Sequence, residues 1–102
     1  MSKTITLFCA AGMSTSLLVN KMKQAAAAAG KDYDIAAFSL GELDEKGPLA
    51  DVILLGPQVR YAKAKVQGKF PNTPLADIPM QMYGLMDGKG TLGLAMKLLG
   101  EE

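Results

Sequence analysis

Short apolar runs alternate along the chain with segments in which apolar residues recur every three or four positions. Residues 3–8 combine β-branched and aromatic side chains and predict a first strand. From about position 16 to 29 the apolar residues fall at helical spacing, and Gly30 is a natural stop for the predicted helix. Ser14 or Thr15 is its predicted N-cap, because a hydroxyl oxygen accepts a hydrogen bond from the first helical turn.

The middle of the chain continues the alternation. Residues 34–39 predict a second strand, which is weaker because alanine is a poor strand former. Residues 40–48 contain two glycines and four charged side chains, so a loop with room for one helical turn is predicted. Residues 51–55 are a continuous apolar run after Asp51 and end at Gly56 and Pro57. This run predicts a strand that is covered on both faces.

Two further helices and a strand are predicted in the second half of the chain. Residues 59–69 alternate apolar and basic side chains and predict an amphipathic helix. Residues 73–78 predict a fourth strand with a proline near each end, which suits an edge position where a missing N–H costs least. A loop or short helix is predicted around 83–88, and residues 91–99 predict the last helix.

Strands that alternate with helices on a short repeat predict a parallel sheet with right-handed crossovers. The expected fold is a small doubly wound α/β domain, with four parallel strands in the order 2-1-3-4 and helices on both faces. In this order the winding reverses between strands one and three, and ligands bind outside the carboxyl ends there. We therefore expect the loop that begins at Cys9 to face the second loop, formed by Gly56, Pro57 and Gln58, across a crevice.

Length and charge narrow the class of protein. The chain has 102 residues, 49 % of them hydrophobic and 21 % charged, which suits a single domain over residues 1–102. Eleven Lys plus Arg against ten Asp plus Glu give a net charge of +1, so nucleic-acid binding is not expected. No apolar run approaches the roughly 20 residues that cross a bilayer. The single cysteine excludes an internal disulfide, so a reducing, cytoplasmic location is expected.

The residue types exclude much of the usual catalytic repertoire. The chain contains no histidine, which excludes a Ser-His-Asp triad, a Cys-His dyad, a phosphohistidine carrier and imidazole-ligated zinc. Neither the GxxxxGK[ST] nor the GxGxxG nucleotide loop follows the first strand. No metal and no cofactor are expected.

Cys9 is the candidate nucleophile. It ends the first strand and precedes small and hydroxylic residues at the start of a helix, where backbone N–H groups and the helix dipole favour an anion. Such a position stabilises a thiolate, and the same donors would hold a phosphoryl group on the sulfur. In this P-loop-like cysteine loop, Gly12 lets the backbone come close to the group, and Ser14, Thr15 and Ser16 offer hydroxyl donors.

Three interpretations of this cysteine loop follow from the residues. Cys9 is a small buried hydrophobe in an interaction module, the nucleophile of a low-molecular-weight cysteine phosphatase or arsenate-reductase-like enzyme, or a phosphoryl carrier. In a cysteine phosphatase an arginine six residues after the nucleophile grips the phosphate, but Thr15 occupies that position here. Without this arginine a phosphoryl group on Cys9 would be held rather than hydrolysed, which favours the carrier.

Residues 5–18 and 50–59 strongly resemble the bacterial phosphotransferase-system enzyme IIB of the lactose, cellobiose and chitobiose family, and Tyr83-Gly84 and Asp87-Gly88 extend the resemblance less distinctively. The resemblance implies that Cys9 accepts a phosphoryl group from a phosphohistidine of the IIA protein. It also implies that Cys9 donates this group to a β-disaccharide, with cellobiose expected, bound by the membrane component IIC. By the same resemblance, the second loop lies beside a phosphate-binding loop that consists of Ala10, Ala11, Gly12, Met13, Ser14, Thr15 and Ser16. The protein is expected in the cytoplasm, transiently associated with the inner face of the membrane through IIC, and its balanced surface charge and two successive partners favour a monomer.

Two successive partners require a docking surface around the crevice. Met13, Leu17 and Val59 form a candidate apolar collar, although Leu17 and Val59 fit the core equally well at their helical spacing. Tyr83 either covers the core or approaches the site. The other methionines in the second half, Met80, Met82, Met86 and Met96, are expected to fill the core.

Overall fold

Four parallel strands form one sheet in the order β2-β1-β3-β4. The structure is a computed structural model that describes residues 3–10 and 12–101, with side chains at all of these except 12–15. The strands are β1 (Lys3–Cys9), β2 (Tyr33–Ser39), β3 (Val52–Leu55) and β4 (Leu75–Asp77). The predicted fold class, strand order and edge position of the fourth strand are confirmed.

Helices connect the strands. They are α1 (Gly12–Ala28), α2 (Leu43–Lys46), α3 (Lys63–Lys69), α4 (Met80–Gly84) and α5 (Gly88–Leu99). Short 3₁₀ turns at Leu40–Glu42 and Gly47–Leu49 flank α2, and a longer one at Pro57–Ala62 leads into α3. Within the described ranges no helix combines the length and the apolar character that spanning a membrane requires.

Alternate residues of the two interior strands, β1 and β3, belong to two separate hydrophobic clusters, one on each face of the sheet. Ile5 and Leu7 of β1 pack with α1 and α5 on one face of the sheet. Phe8 points to the other face, where it packs with Leu43 of α2 and Val66 of α3. Because β3 is fully buried and contributes to both clusters, it is covered on both faces, as its unbroken apolar run predicts. Helices on both faces are thereby confirmed.

The start of α1 differs from the prediction. The helix begins at Gly12, four residues before the predicted start, so neither Ser14 nor Thr15 is its N-cap. The apolar spacing identified only the part of the helix that packs on the sheet, which includes Leu18 and Met22. Helical hydrogen bonding extends one turn further towards the N-terminus than that packing, because backbone bonds do not depend on an apolar face.

The helix predicted over 59–69 is also only partly right. Its first part is a 3₁₀ segment, and regular α-helix begins at Lys63. Val59 leaves the helical region, with φ −119° and ψ 18°, and Pro57 lacks the N–H that a helical hydrogen bond needs. In the segment 40–48, predicted as a loop with room for one helical turn, α2 is that turn, and 3₁₀ turns take the place of the rest of the loop.

The last helix begins earlier than predicted because Asp87 caps it. The Asp87 carboxylate accepts a hydrogen bond of 2.8 Å from the Gly90 N–H, so α5 begins at Gly88 rather than near Thr91. Gly88 lies directly against the backbone of Lys21, and a Cβ at this position would come within 2.6 Å of the Lys21 Cβ. This glycine therefore sets how closely α5 approaches α1.

Candidate functional site

Cys9 lies at the carboxyl end of β1, between the ends of the neighbouring strands β2 and β3; we call this end of the sheet its carboxyl edge. Cys9 is the last residue of β1 and is paired in register with Ser39, the last residue of β2. On the other side, the Gly56 N–H donates a hydrogen bond of 2.9 Å to the Phe8 carbonyl. The end of β3 is thus tied to β1 one residue before the cysteine, and the chain turns away from the sheet at Gly56.

Cys9 is buried, with 2 % of its surface exposed. Among the described residues, the two hydrophobic clusters of the sheet include its neighbour Phe8 but do not include Cys9. The cysteine lies at the end of β1, against the segment that leaves β3. Its burial agrees with the interpretation of Cys9 as a small buried hydrophobe. Its position at the carboxyl end of β1 agrees with the interpretation of Cys9 as the nucleophile of a site.

The segment beside the sulfur is Gly56, Pro57 and Gln58, the predicted second loop. A Cβ built on Gly56 would lie 2.6 Å from Cys9 Sγ and 3.1 Å from Gln58 Oε1. Gly56 and Pro57 are buried, but Gln58 is exposed at the first turn of the 3₁₀ segment. A thiol, a backbone turn and a side-chain amide therefore meet at one point of the edge.

The predicted phosphate-binding loop is mostly the first turn of α1. Ala10 is an exposed bend after β1, and Ala11 lies outside the described residues. The backbone of residues 12–15 is helical, and the side chains of Met13, Ser14 and Thr15 lie outside the described part of the chain. Ser16 is helical and exposed. The connection from sulfur to helix is thus only two residues long, shorter than the predicted seven-residue loop.

The candidate docking residues separate into surface and core. Leu17 is 50 % exposed in the second turn of α1, so it does not fill the core. Val59 is 2 % exposed and Tyr83 is 6 % exposed, and each belongs to one of the hydrophobic clusters. These two residues form core rather than a docking surface. Their apolar spacing alone did not distinguish the two environments.

Exposed apolar residues that the pattern did not single out follow the strand ends instead. Tyr61 follows β3, and Met80 and Leu85 follow β4, all more than half exposed. The expectation that Met80 fills the core is wrong, because it begins α4 on the surface after Pro79. Met82, Met86 and Met96 pack against the core as expected. The sequence feature that could have predicted the exposure of Met80 is its position shortly after the fourth strand, where the chain leaves the sheet.

Charged side chains at this edge are mainly basic or paired. Lys63 Nζ lies 3.2 Å from an Asp77 carboxylate oxygen at the end of β4. The hydrogen bond from Lys63 lowers the pKa of Asp77, and the charge of Arg60 acts in the same direction. On the far side of Cys9, the Ser39 N–H donates to the Glu42 carboxylate at 3.1 Å. The salt bridge with Lys63 offsets the charge of Asp77, a carboxylate that would otherwise repel an anion at this edge.

The fold and the position of Cys9 define a small parallel α/β domain with a cysteine at the carboxyl edge of its sheet. Comparison with known proteins assigns the family. Residues 4–93 match the family model described as "PTS system, Lactose/Cellobiose specific IIB subunit". The chain therefore belongs to the lactose/cellobiose-specific IIB subunit family of the phosphotransferase system.

Relatives match over nearly the full chain. The galactose-specific EIIB component of Lactococcus lactis subsp. cremoris and the cellobiose-specific EIIB component of Lactococcus lactis subsp. lactis are each 48 % identical, covering 95 % of this chain and 96 % of the relative. The oligo-beta-mannoside-specific EIIB component of Bacillus subtilis is 38 % identical with the same coverage. The family resemblance noted in the sequence is thus confirmed.

Two solved structures of IIB components have the same fold as this chain. The cellobiose-specific IIB component of Borrelia burgdorferi superposes with a TM-score of 0.81 at 34 % identity, covering 98 % of this chain and 94 % of that one. The lactose-specific IIB domain of Streptococcus pneumoniae superposes with a TM-score of 0.80 at 18 % identity, covering 95 % and 97 %. The second likeness supports the fold alone.

Proposed function

We propose that the protein is a phosphoryl carrier of a sugar phosphotransferase system and that Cys9 holds the phosphoryl group. The observation that carries this proposal is the place of Cys9 at the carboxyl end of β1, three residues before Gly12, where α1 begins. The first-turn N–H groups of a helix have no partner within the helix and favour an anion. In this proposal they hold the phosphoryl oxygens.

The reaction consists of two in-line transfers at phosphorus. The Cys9 thiolate attacks a phosphohistidine of the IIA protein, the S–P bond forms, and the P–N bond breaks with its electron pair left on the imidazole nitrogen. A sugar hydroxyl then attacks the same phosphorus, and the S–P bond breaks to regenerate the thiolate. The hydroxyl proton passes to a base outside this chain. Positioning and charge neutralisation supply most of the catalysis in such transfers.

Retention of the phosphoryl group follows from what the loop lacks. Position 15 is threonine, so the arginine that a cysteine phosphatase uses to stabilise the hydrolytic transition state is missing from the corresponding place. Among the described carboxylates at this edge, Asp77 is held by Lys63 and Glu42 by the Ser39 N–H. The hydrogen bond from Lys63 lowers the pKa of Asp77, so this carboxyl group is not poised as a general acid for a leaving group, which favours a carrier over a hydrolase.

The partners in this proposal are the IIA protein, the membrane component IIC and a sugar. The docking surface consists of Leu17, Tyr61, Met80 and Leu85, which follow the carboxyl ends of the strands. The proposed sugar is a β-disaccharide, with cellobiose chosen because one of the two relatives at 48 % identity is named for it. The proposed location is the cytoplasm, where a monomer meets IIC at the inner face of the membrane.

The test is incubation with phosphorylated IIA protein, followed by assay of the bound group. We expect one phosphoryl group per chain that survives acid and is released by iodine. These two properties distinguish an S-phosphoryl group from a phosphohistidine. Steady hydrolysis of an aryl phosphate by the chain alone would instead support the phosphatase alternative. Uptake of a phosphoryl group by a Cys9→Ala variant to the same extent as by the wild type would contradict the proposal.

A further inference from the structure

Gly56 has an ordinary backbone conformation, so its lack of a side chain needs another explanation. Its φ is −61° and its ψ is 152°, which any L residue adopts. A Cβ at this position would lie 2.6 Å from Cys9 Sγ, a distance that real Cβ atoms essentially never show. The space that a side chain would take is therefore occupied by the sulfur. By contrast, a Cβ on Gly68 of α3 would meet nothing within 4 Å.

The amide of Gln58 lies on the same side of Gly56 as the sulfur. Its Oε1 is 3.1 Å from the point where a Gly56 Cβ would stand, and the residue is exposed. An amide suits both states of a neighbouring sulfur. Its oxygen accepts from a thiol, and a half-turn of the terminal torsion brings its NH₂ group forward to donate to an anion.

We propose that Gly56 is a positioning residue that seats the Cys9 sulfur and that Gln58 is a further residue of the phosphoryl site, donating through Nε2 to the phosphoryl oxygens on Cys9. The Gln58 part rests on the proposed carrier function, because only a phosphorylated sulfur presents those oxygens. The Gly56 part rests on packing alone. A donor from the segment after β3 would add to the N–H groups at the start of α1.

The positioning role of Gly56, which we call the seat of the Cys9 sulfur, is tested by a double-mutant cycle that measures stability. We expect Gly56→Ala to lower the urea midpoint in the presence of Cys9 and to lower it clearly less in a Cys9→Ala background, where the clashing sulfur is gone. If Gly56→Ala alone does not fold, Cys9→Ala/Gly56→Ala is expected to restore folding. Gly68→Ala is the control and lowers the midpoint in neither background. Equal losses in both backgrounds, or no rescue of folding, would overturn the seat.

The Gln58 donor is tested by the equilibrium of phosphoryl exchange with the IIA protein. Gln58→Met keeps the length of the side chain but has no donor, and Gln58→Glu adds a negative charge. Loss of a hydrogen bond to a charged group is expected to shift the equilibrium towards phosphorylated IIA by about tenfold in Gln58→Met, and further in Gln58→Glu. Gln24→Glu, an equal change on the exposed face of α1, is the control and is expected to have no effect.

A second measurement separates a donor from a merely structural role. We expect the pH at which Cys9 is half-alkylated to move upwards in Gln58→Met and further in Gln58→Glu, with unchanged urea midpoints. An unchanged exchange equilibrium in both variants, with normal uptake by the wild type, overturns only the Gln58 proposal. If the wild type takes up no phosphoryl group, both the carrier function and the Gln58 role fall, while the stability cycle still decides the seat.

Discussion

At the scale of single residues, exposure decides which apolar side chains are available to a partner. Leu17 fits the spacing of a core residue but is half-exposed, whereas Val59 fits it equally well and is buried. The next two residues of the same helical turn, Leu18 and Val19, are buried, so Leu17 lies on a face of α1 that the sheet does not cover. Leu49 is a useful contrast, because it is 68 % exposed but precedes β3 at the opposite edge.

Leu17→Asp is expected to slow phosphoryl acceptance from the IIA protein by about tenfold or more, because it places a charge in the proposed apolar contact. Its free energy of unfolding is expected to change by less than about 1 kcal/mol, since the side chain is largely on the surface. Initial rates of phosphoryl uptake measure the effect. Leu49→Asp is the matched control, and an equal loss of rate in that variant would contradict a docking role for Leu17.

At the scale of elements, the pattern predicts the kind of segment better than its ends. The all-apolar β3 and the packed face of α1 could be predicted because burial imposes the period of the element on the sequence. The starts of α1, α3 and α5 could not, because they depend on backbone hydrogen bonds, on the torsions of Val59 and on the Asp87 cap. Close contact between α1 and α5 depends on one glycine that no period marks.

Gly88→Ala is expected to lower the free energy of unfolding by about 1–3 kcal/mol, because the new methyl group must push α5 away from the Lys21 backbone. Gly93→Ala in the same helix is the control. A Cβ there meets nothing within 4 Å, so better helix propensity is expected to raise stability by up to about 1 kcal/mol. Urea unfolding of both variants measures the difference. A stabilising effect of Gly88→Ala would show that the helices do not meet as described.

At the scale of the whole molecule, strand order brings distant segments to one edge. That Cys9 and the end of β3 would be neighbours could be predicted from the order 2-1-3-4. That the Gln58 amide and the sulfur lie on the same side of Gly56 could not, because side-chain direction after a strand end leaves no period in the sequence. At the opposite end, the Tyr33 hydroxyl donates a hydrogen bond of 2.6 Å to Glu101 and ties β2 to the C-terminal segment.

Stability is expected to fall between about pH 10 and pH 12 through this tyrosine. Burial, the hydrogen bond to Glu101 and the charge of Glu101 raise the pKa of Tyr33 to about 12 from 10.0. A folded-state pKa above the unfolded value means that the stabilisation is complete below pH 10 and is lost as pH rises towards 12.

Urea midpoints across this range measure the loss, which is expected to be about 1 kcal/mol or less for a partly exposed pair. Tyr33→Phe should remove the corresponding part of the pH dependence. Tyr61→Phe is the matched control because Tyr61 is 79 % exposed, and it should leave the profile unchanged. If the urea midpoint depends on pH in the same way in Tyr33→Phe and in the wild type, the proposed contribution of the Tyr33–Glu101 hydrogen bond is contradicted.

The central claim is tested most directly by locating the phosphoryl group with mass spectrometry after incubation with phosphorylated IIA protein. The account predicts a single phosphoryl group on the peptide that contains Cys9, attached to sulfur, lost when IIC membranes and a β-disaccharide are added, and absent from Cys9→Ala. A phosphoryl group on any other residue, or an unmodified Cys9 in the presence of an active donor, would contradict it.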